Sequence, residues 1–408
     1  MYVRRYLEEA VREFSRSFPV VLITGPRQVG KSTLVQALGK VEDPSRVYVS
    51  LDTIQSRATA QEDPELFLRQ HPPPVTVDEV QHAPQLLDAI KPRVDREKER
   101  GAYWLTGSQS FPLMQQVSES LAGRVGILSL SGLSAAEEAG LPRSERPFRP
   151  DRLGDLPSVE PTGVEALFQR IVRGSFPRLA HPDPPPWEGF YNSYVQTYIE
   201  RDVRSLMDVA NLATFQRFVR LAAARIGQLL NFADLARDAG VSPGTAQQWM
   251  RVLEATHQVY LLRPYFENVG KRQIKSPKLY FRDTGLAAFL TGWTSPQAAA
   301  GGVMAGAFLE NYVLTELLKS YENRGRAAPL WFYRTREGQE VDFLLAEDGL
   351  LFPLEVKLSA TPNRRHLRGI RSLARTGAPL GSGAVLCLVE EPYPLDRSVM
   401  AVPVAAIR

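Results

Sequence analysis

Short apolar runs alternate with helix-spaced segments through the first third of the chain. Val20-Val21-Leu22-Ile23, Val47-Tyr48-Val49-Ser50-Leu51, Pro74-Val75-Thr76-Val77, Ala102-Tyr103-Trp104-Leu105-Thr106 and Val125-Gly126-Ile127-Leu128-Ser129-Leu130 are rich in β-branched and aromatic residues and too short for buried helices. They predict five strands. Between the third and fourth, Pro84-Gln85-Leu86-Leu87-Asp88-Ala89-Ile90 carries apolar residues at helical spacing, as a βαβ crossover requires. Strands alternating with helices predict an α/β domain on a parallel sheet.

From about 163 to 224 the period changes to that of a helix. Phe190, Tyr191, Tyr194, Val195, Tyr198 and Ile199 recur at steps of three and four, which predicts a packing face, and Glu200-Arg201-Asp202-Val203-Arg204 follows as a dense charged cluster. Next, Asn231 to Ala239 and Pro243 to Thr256 read as two helices flanking a turn at Gly240, the second capped by Ser242 with proline at its first position. Two strand-like runs, Val259 to Leu262 and Lys278 to Phe281, flank a segment carrying Lys271, Arg272 and Lys275. Helix-turn-helix plus a basic hairpin describes a winged helix. Its basic wing, Lys278 included, suits phosphate contacts, and Gln247, Gln248 and Arg251 could face a DNA groove; the same module also serves protein contacts.

Composition narrows the field. The 408 residues hold 49 Lys and Arg against 45 Asp and Glu, which permits a nucleic-acid partner without demanding one. One cysteine, Cys387, excludes intrachain disulfides and a zinc cluster. No apolar stretch is long enough for export or spanning, so a cytoplasmic location with no membrane partner is expected.

Candidate chemistry begins after the first strand, where Gly25-Pro26-Arg27-Gln28-Val29-Gly30-Lys31-Ser32-Thr33 fits the phosphate-loop pattern in a strand-to-helix setting. The glycines let successive N–H groups turn inward at a helix N-terminus and make an anion site. Lys31 can then reach the β- and γ-phosphates of ATP, and the Ser32 hydroxyl can ligate Mg²⁺. The third strand ends in Asp78-Glu79, with Asp78 suited to hold Mg²⁺ through water and Glu79 to polarise the attacking water. In Thr106-Gly107-Ser108-Gln109 the expected γ-phosphate sensor is Ser108, with Gln109 second. Arg124, in Leu121-Ala122-Gly123-Arg124, reads equally as a finger for a neighbouring subunit or as part of a salt bridge.

A second acidic set lies near the end. Glu310 sits in a helix, and Glu340 to Leu345 and Leu354 to Leu358 read as a hairpin turning at Glu347-Asp348-Gly349. Alternation places Glu355 with Lys357 on one strand face and Glu340 with Asp342 on one face of the other. Carboxylates plus a lysine suit metal-dependent phosphodiester hydrolysis, but the same residues would also make an ion-pair ladder. Arg364, Arg368, Arg371 and Arg375 follow at steps of four, three and four, an arginine face for a nucleic-acid backbone.

This last arrangement resembles the PD-(D/E)XK nuclease superfamily, with Asp342, Glu355 and Lys357 in its motif, Asp342 and Glu355 as metal ligands and Glu310 as the helix-borne acid. Taken in order, the phosphate loop, Asp78-Glu79, Thr106-Gly107-Ser108, Leu121 to Arg124, Tyr194 to Arg204, Lys275 to Gly285 and Glu355-Val356-Lys357 resemble one group. It is the prokaryotic AAA-superfamily ATPases that pair a P-loop domain with a C-terminal domain of unknown function. The resemblance implies ATP and Mg²⁺ as cofactors, hydrolysis and a homo-oligomer. The expected organisation is an AAA/ASCE-type P-loop NTPase domain (1–150), a helical lid (160–222), a winged helix (223–290) and an α/β nuclease-like domain (300–408). Three functions fit: an ATPase that moves or remodels DNA, with or without cleavage, a nucleotide-dependent protein-binding switch with an inactive tail, or a nuclease that ATP merely licenses.

Overall fold

The computed structural model describes residues 2–108, 111–155, 163–199, 212–265 and 276–408. Gln109, the charged cluster Glu200 to Arg204, Lys271, Arg272 and Lys275 lie outside the described residues.

The five expected strands form one sheet: β1 (Val20–Thr24), β2 (Val47–Ser50), β3 (Val75–Asp78), β4 (Tyr103–Thr106) and β5 (Val125–Ser129), in the order β2-β3-β4-β1-β5. Every pairing is parallel. The sheet is covered on both sides, which is why its central strands read as continuous apolar runs. Alternation divides β1 between the faces: Val20 and Leu22 join the core under the helices after β2 and β3, whereas Val21 and Ile23 join a larger core that runs on into the lid, the winged helix and the tail. Because β4 is inserted between β1 and β3, the loops after these three strands open side by side at the carboxyl edge of the sheet.

The helical stretch expected from 163 is interrupted. The helix Val164–Arg173 ends at Gly174, whose φ of 81° suits glycine and whose missing Cβ leaves room for the Tyr191 hydroxyl. A proline-rich turn then leads into the helix Trp187–Tyr194 and a π-helical segment, Val195–Ile199. Phe190, Tyr191 and Tyr194 are buried and pack around Phe176, so this part of the aromatic stripe is a packing face.

The helix-turn-helix is present as Phe232–Ala239 and Pro243–Ala255. The Asn231 side chain caps the first helix and Ser242 Oγ the second, and Gly240 takes the left-handed conformation between them. Ala246, Trp249, Met250 and Leu253 face the core, leaving Gln247, Gln248 and Arg251 exposed. Strands β6 (Val259–Leu262) and β7 (Lys278–Phe281) pair antiparallel, with Leu262 opposite Lys278.

In the tail, the helix Ala305–Glu322 packs on a six-stranded sheet formed by β8 (Leu330–Arg334), β9 (Glu340–Glu347), β10 (Leu350–Val356), β11 (Gly383–Cys387), β12 (Tyr393–Pro394) and β13 (Val399–Pro403), ordered β12-β13-β11-β10-β9-β8. Asp348 and Gly349, both at positive φ, close β9 onto β10 as a two-residue hairpin. The arginine-bearing segment is not one helix: a 3₁₀ turn, Arg364–Leu367, precedes a short helix, Arg368–Ala374. Its four arginines are exposed while Leu367, Ile370 and Leu373 are buried. Among the described residues no helix is long and apolar enough to cross a membrane.

One buried ion pair fastens the N-terminus to the phosphate loop. Arg5 Nε lies 3.1 Å from Glu137 Oε1, while its other nitrogens donate to the carbonyls of Val29 (2.9 Å) and Ser131 (2.7 Å). Burial pushes the Glu137 carboxyl up, but Arg5 and the backbone N–H groups of Ser134 and Tyr6 outweigh it and hold the group below its ordinary value. Arg5→Ala is expected to destabilise the fold by about 3–5 kcal/mol in denaturant unfolding, because it strands a buried carboxylate. The contribution of Glu137 is complete above its ordinary pKa of 4.5 and is lost as pH falls through its lower folded value. Glu137→Gln should therefore flatten the acid limb of the stability profile.

Candidate functional site

The loop between β1 and the helix Lys31–Glu42 is shaped by residues that tolerate unusual backbone. Gly25 sits at φ 141° with the Leu130 carbonyl 2.1 Å from where a Cβ would stand, and Gly30 at φ 94°. Lys31 is buried and donates to the carbonyls of Gly25 (3.1 Å) and Pro26 (2.8 Å). This curls the ammonium over the loop at a helix N-terminus.

Asp78, at the end of β3, is the hub. Its Oδ1 accepts from Ser32 Oγ at 3.0 Å and from Thr106 Oγ1; its Oδ2 accepts from the Tyr48 hydroxyl at 2.7 Å. Burial, then the bond to Asp78, pushes the Tyr48 phenol up to about 12, so at neutral pH it is a donor and the carboxylate an acceptor. A serine hydroxyl beside a carboxylate fits Mg²⁺, which takes one or two protein oxygens and fills its other positions with phosphate oxygens and water.

Glu79 follows in a left-handed conformation at φ 61°, its N–H donating to Thr106 Oγ1 at 3.2 Å. The Gln81 amide takes its carboxylate, and Gln81 Oε1 in turn accepts from the Ser108 N–H at 3.3 Å. Gly107 makes room for this bridge, since a Cβ there would stand 2.9 Å from Gln81 Oε1. The loop and Glu79 open into a cleft of about 830 Å³, whose far wall is Arg178, Pro185 and Pro186 of the lid turn and Phe190 of the helix that follows. Arg27, Gln28 and Thr33 line its near side. Pro177 comes within 3.9 Å of the Cβ position of Gly30. The turn is anchored through Ser175, whose N–H and hydroxyl both donate to Asp283 Oδ2, at 2.7 and 2.8 Å.

Other candidates fall differently. Ser108 is buried and its hydroxyl has no partner among the described residues; Thr106, two positions earlier, is the hydroxyl that reaches the acids. Arg124 precedes β5, at the edge of the sheet opposite the phosphate loop, and donates to Asp95 Oδ2 at 2.9 Å. The five residues of β1 separate it from Gly25 by on the order of 16 Å. Of its two readings, the chain supplies the salt bridge. Tyr48, Thr106, Gln81 and Arg178 were not singled out from sequence. The register that sets Ser50 beside Asp78 puts the Tyr48 strand at the site, but nothing in the sequence alone orders the strands that way.

The acids of the tail do assemble, with cations among them. Lys357 Nζ lies 3.2 Å from Asp342 Oδ2 and 2.8 Å from Glu355 Oε2, and the Val356 N–H donates to Asp342 at 2.8 Å. Glu310 accepts from Lys278 (2.9 Å) and from the Tyr280 hydroxyl (2.6 Å); Glu340 pairs with Lys278 and Arg334. Burial and the neighbouring Asp342 push the Glu355 carboxyl up to about 9. Burial would raise Asp342 too, but Lys357, Lys278 and the Val356 N–H hold it down. Burial likewise raises Glu310, against the pull of Lys278. Four carboxyls thus face three cations, Lys278, Arg334 and Lys357. Among the described residues no group of three or more His, Cys, Asp or Glu is placed to hold a metal ion. Asp342 and Glu355, expected as metal ligands, are bridged by the Lys357 ammonium. Lys278, expected at a phosphate backbone, is instead buried.

A parallel sheet with a phosphate loop after β1 and carboxylates after β3 defines a P-loop domain of the AAA ATPase type, a nucleotide-binding fold. Residues 17–138 match the family model of an AAA domain, 164–297 that of a domain of unknown function, and 305–407 that of a second, DUF4143. The chain is 33% identical over 404 residues, 98% of its own length and 83% of theirs, to uncharacterized proteins of Mycobacterium tuberculosis and Mycobacterium bovis. It belongs to the family that joins an AAA-type P-loop domain to this C-terminal domain of unknown function. Among solved structures, a Walker-type ATPase of Pyrococcus abyssi is similar with 12% identity and a TM-score of 0.42, over 71% of this chain and 96% of that one. The RuvB Holliday junction branch migration motor of Thermotoga maritima is similar with 16% identity and a TM-score of 0.30, over 62% and 88%.

If Thr106 rather than Ser108 sets the Asp78 carboxylate, Thr106→Ala should weaken Mg²⁺-dependent binding of a fluorescent ATP analogue roughly tenfold, the loss of about one hydrogen bond to a charged group. Ser108→Ala should change it less than twofold in the same titration.

Proposed function

We propose that this protein binds Mg²⁺–ATP in the cleft between phosphate loop and lid, hydrolyses it, and uses the cycle to act on DNA held by the winged helix. The observation that carries the nucleotide part is the hub at Asp78, which ties Ser32, Tyr48 and Thr106 into one site beside Lys31. The loop Gly25 to Thr33 would cradle the phosphates through its backbone N–H groups, Pro26 having none, with Lys31 directed to the β- and γ-groups. Ser32 and Asp78 would hold the metal, which would supply positive charge against the phosphate oxygens. Glu79 exchanges the Gln81 amide for the attacking water and polarises it. Ser108, from the end of β4, and Arg178, from the lid, approach the γ-phosphate. Arg124 would serve a neighbour in a homo-oligomer only by leaving Asp95.

The DNA part rests on the exposure of Gln247, Gln248 and Arg251 on the second helix of the motif and of the arginines at 364–375. A second reading, a nucleotide-dependent switch for a protein partner with an inactive tail, is favoured by the cations lodged among the tail acids. Catalytic roles for Glu310, Asp342, Glu355 and Lys357 would require those ion pairs to open.

Lys31→Ala should abolish ATP binding in a fluorescence titration. Glu79→Gln should keep binding but slow phosphate release about 10²–10⁴-fold, as expected for loss of a general base; undiminished hydrolysis would move that role elsewhere. Turnover that rises severalfold with duplex or branched DNA, with an affinity that falls steeply in salt, supports the DNA reading, and indifference to DNA supports the switch.

A further inference from the structure

A nuclease-like tail brings the expectation of a divalent cation among Glu310, Asp342 and Glu355, and the donor set does not fit one. A hard cation takes six or more oxygens with free lone pairs. Here cations already stand between the acids: Glu310 Oε1 accepts from Lys278 and Tyr280, Glu340 pairs with Lys278 and Arg334, Asp342 Oδ2 accepts from Lys357 and the Val356 N–H, and Glu355 Oε2 pairs with Lys357. The Lys278 side chain is only 3% exposed. Its position is set by its own module, since it faces Leu262 across the ribbon and Leu229 across an isolated bridge, and the next residue, Leu279, donates to the Gln228 carbonyl at 3.1 Å.

We infer that Lys278 is the resident cation of the tail's acidic site: the winged helix lodges its own ammonium between Glu310 and Glu340, and these acids form a socket that docks the wing on the tail rather than a metal centre.

The surrounding contacts follow the same seam. Strand β7 runs along the tail helix, where Tyr280 also bonds Glu310, the N–H and carbonyl of Phe281 bond the Asn311 side chain at 2.9 and 2.7 Å, and Arg282 pairs with Glu322. Beyond β6, the chain joins the edge of the tail sheet: the Tyr265 N–H donates to the Phe332 carbonyl at 2.7 Å and the Phe332 N–H to the Arg263 carbonyl at 3.1 Å. Withdrawing Lys278 would leave Glu310 and Glu340 facing each other with less compensation. The inference is independent of the nucleotide reading and survives its failure.

Two measurements on the full chain test it. Mn²⁺ binding is followed by electron paramagnetic resonance without nucleotide, in Asp78→Asn protein so that the phosphate-loop site is silent. The titration should be the same with and without a further Asp342→Asn change, and one equivalent lost on that change would overturn the inference. Separately, hydrogen exchange is read at the Phe281 and Tyr265 amides. Lys278→Met should speed both at least tenfold while Lys278→Arg, which keeps the charge, should speed them less than threefold; unchanged protection in Lys278→Met would overturn the docking role.

Discussion

A single buried carboxylate holds together the strand ends on which the nucleotide site depends. Asp78 accepts from Ser32 on the helix after the phosphate loop, from Tyr48 on β2 and from Thr106 on β4. Those donors come from three separate elements, so the hub fixes the relative positions of loop, acids and neighbouring strands before any ligand arrives. Preorganisation of this kind matters because phosphoryl transfer is catalysed mostly by placement and electrostatics. Glu79 is held differently, its carboxylate accepting from the Gln81 amide, which under the proposed mechanism would be exchanged for water.

The distribution of polar side chains extends that order outward. Arg5 ties the start of the chain to the Val29 carbonyl in the phosphate loop, and Asp283 carries the lid turn that faces the loop from across the cleft. Asp283 also accepts from the Leu286 N–H at the start of the helix Thr284–Thr291, directly after β7. The lid is thus fastened to the winged helix by the same residue that holds its turn, and a change at the cleft wall has a short covalent route to the seam at the tail.

Much of this was legible in the sequence where a local rule governs it. The five parallel strands follow from short β-branched runs, the helix-turn-helix from its caps and Gly240, and the β9–β10 turn from Asp348-Gly349. The phosphate loop and Asp78-Glu79 were legible because their spacing encodes chemistry directly. What escaped depends on long-range register. Finding Thr106 at Asp78 requires knowing which way a strand end points, and finding Tyr48 requires knowing that β2 flanks β3. Lys278 misled because a lysine in a basic segment reads as solvent-facing, while its partners Glu310 and Glu340 come from elements 32 and 62 positions later. The break at Gly174 is not legible in the aromatic spacing, because Phe190, Tyr191 and Tyr194 all lie beyond it.

Asn311 has a further consequence. Its carboxamide bonds both the N–H and the carbonyl of Phe281, on the border of β7 turned away from β6. A two-strand ribbon ordinarily presents such a border as a template for a foreign strand. Here a helix side chain mimics the missing neighbour, so recruitment of another polypeptide by backbone pairing is blocked at that position, and self-association through this ribbon would first have to evict an amide.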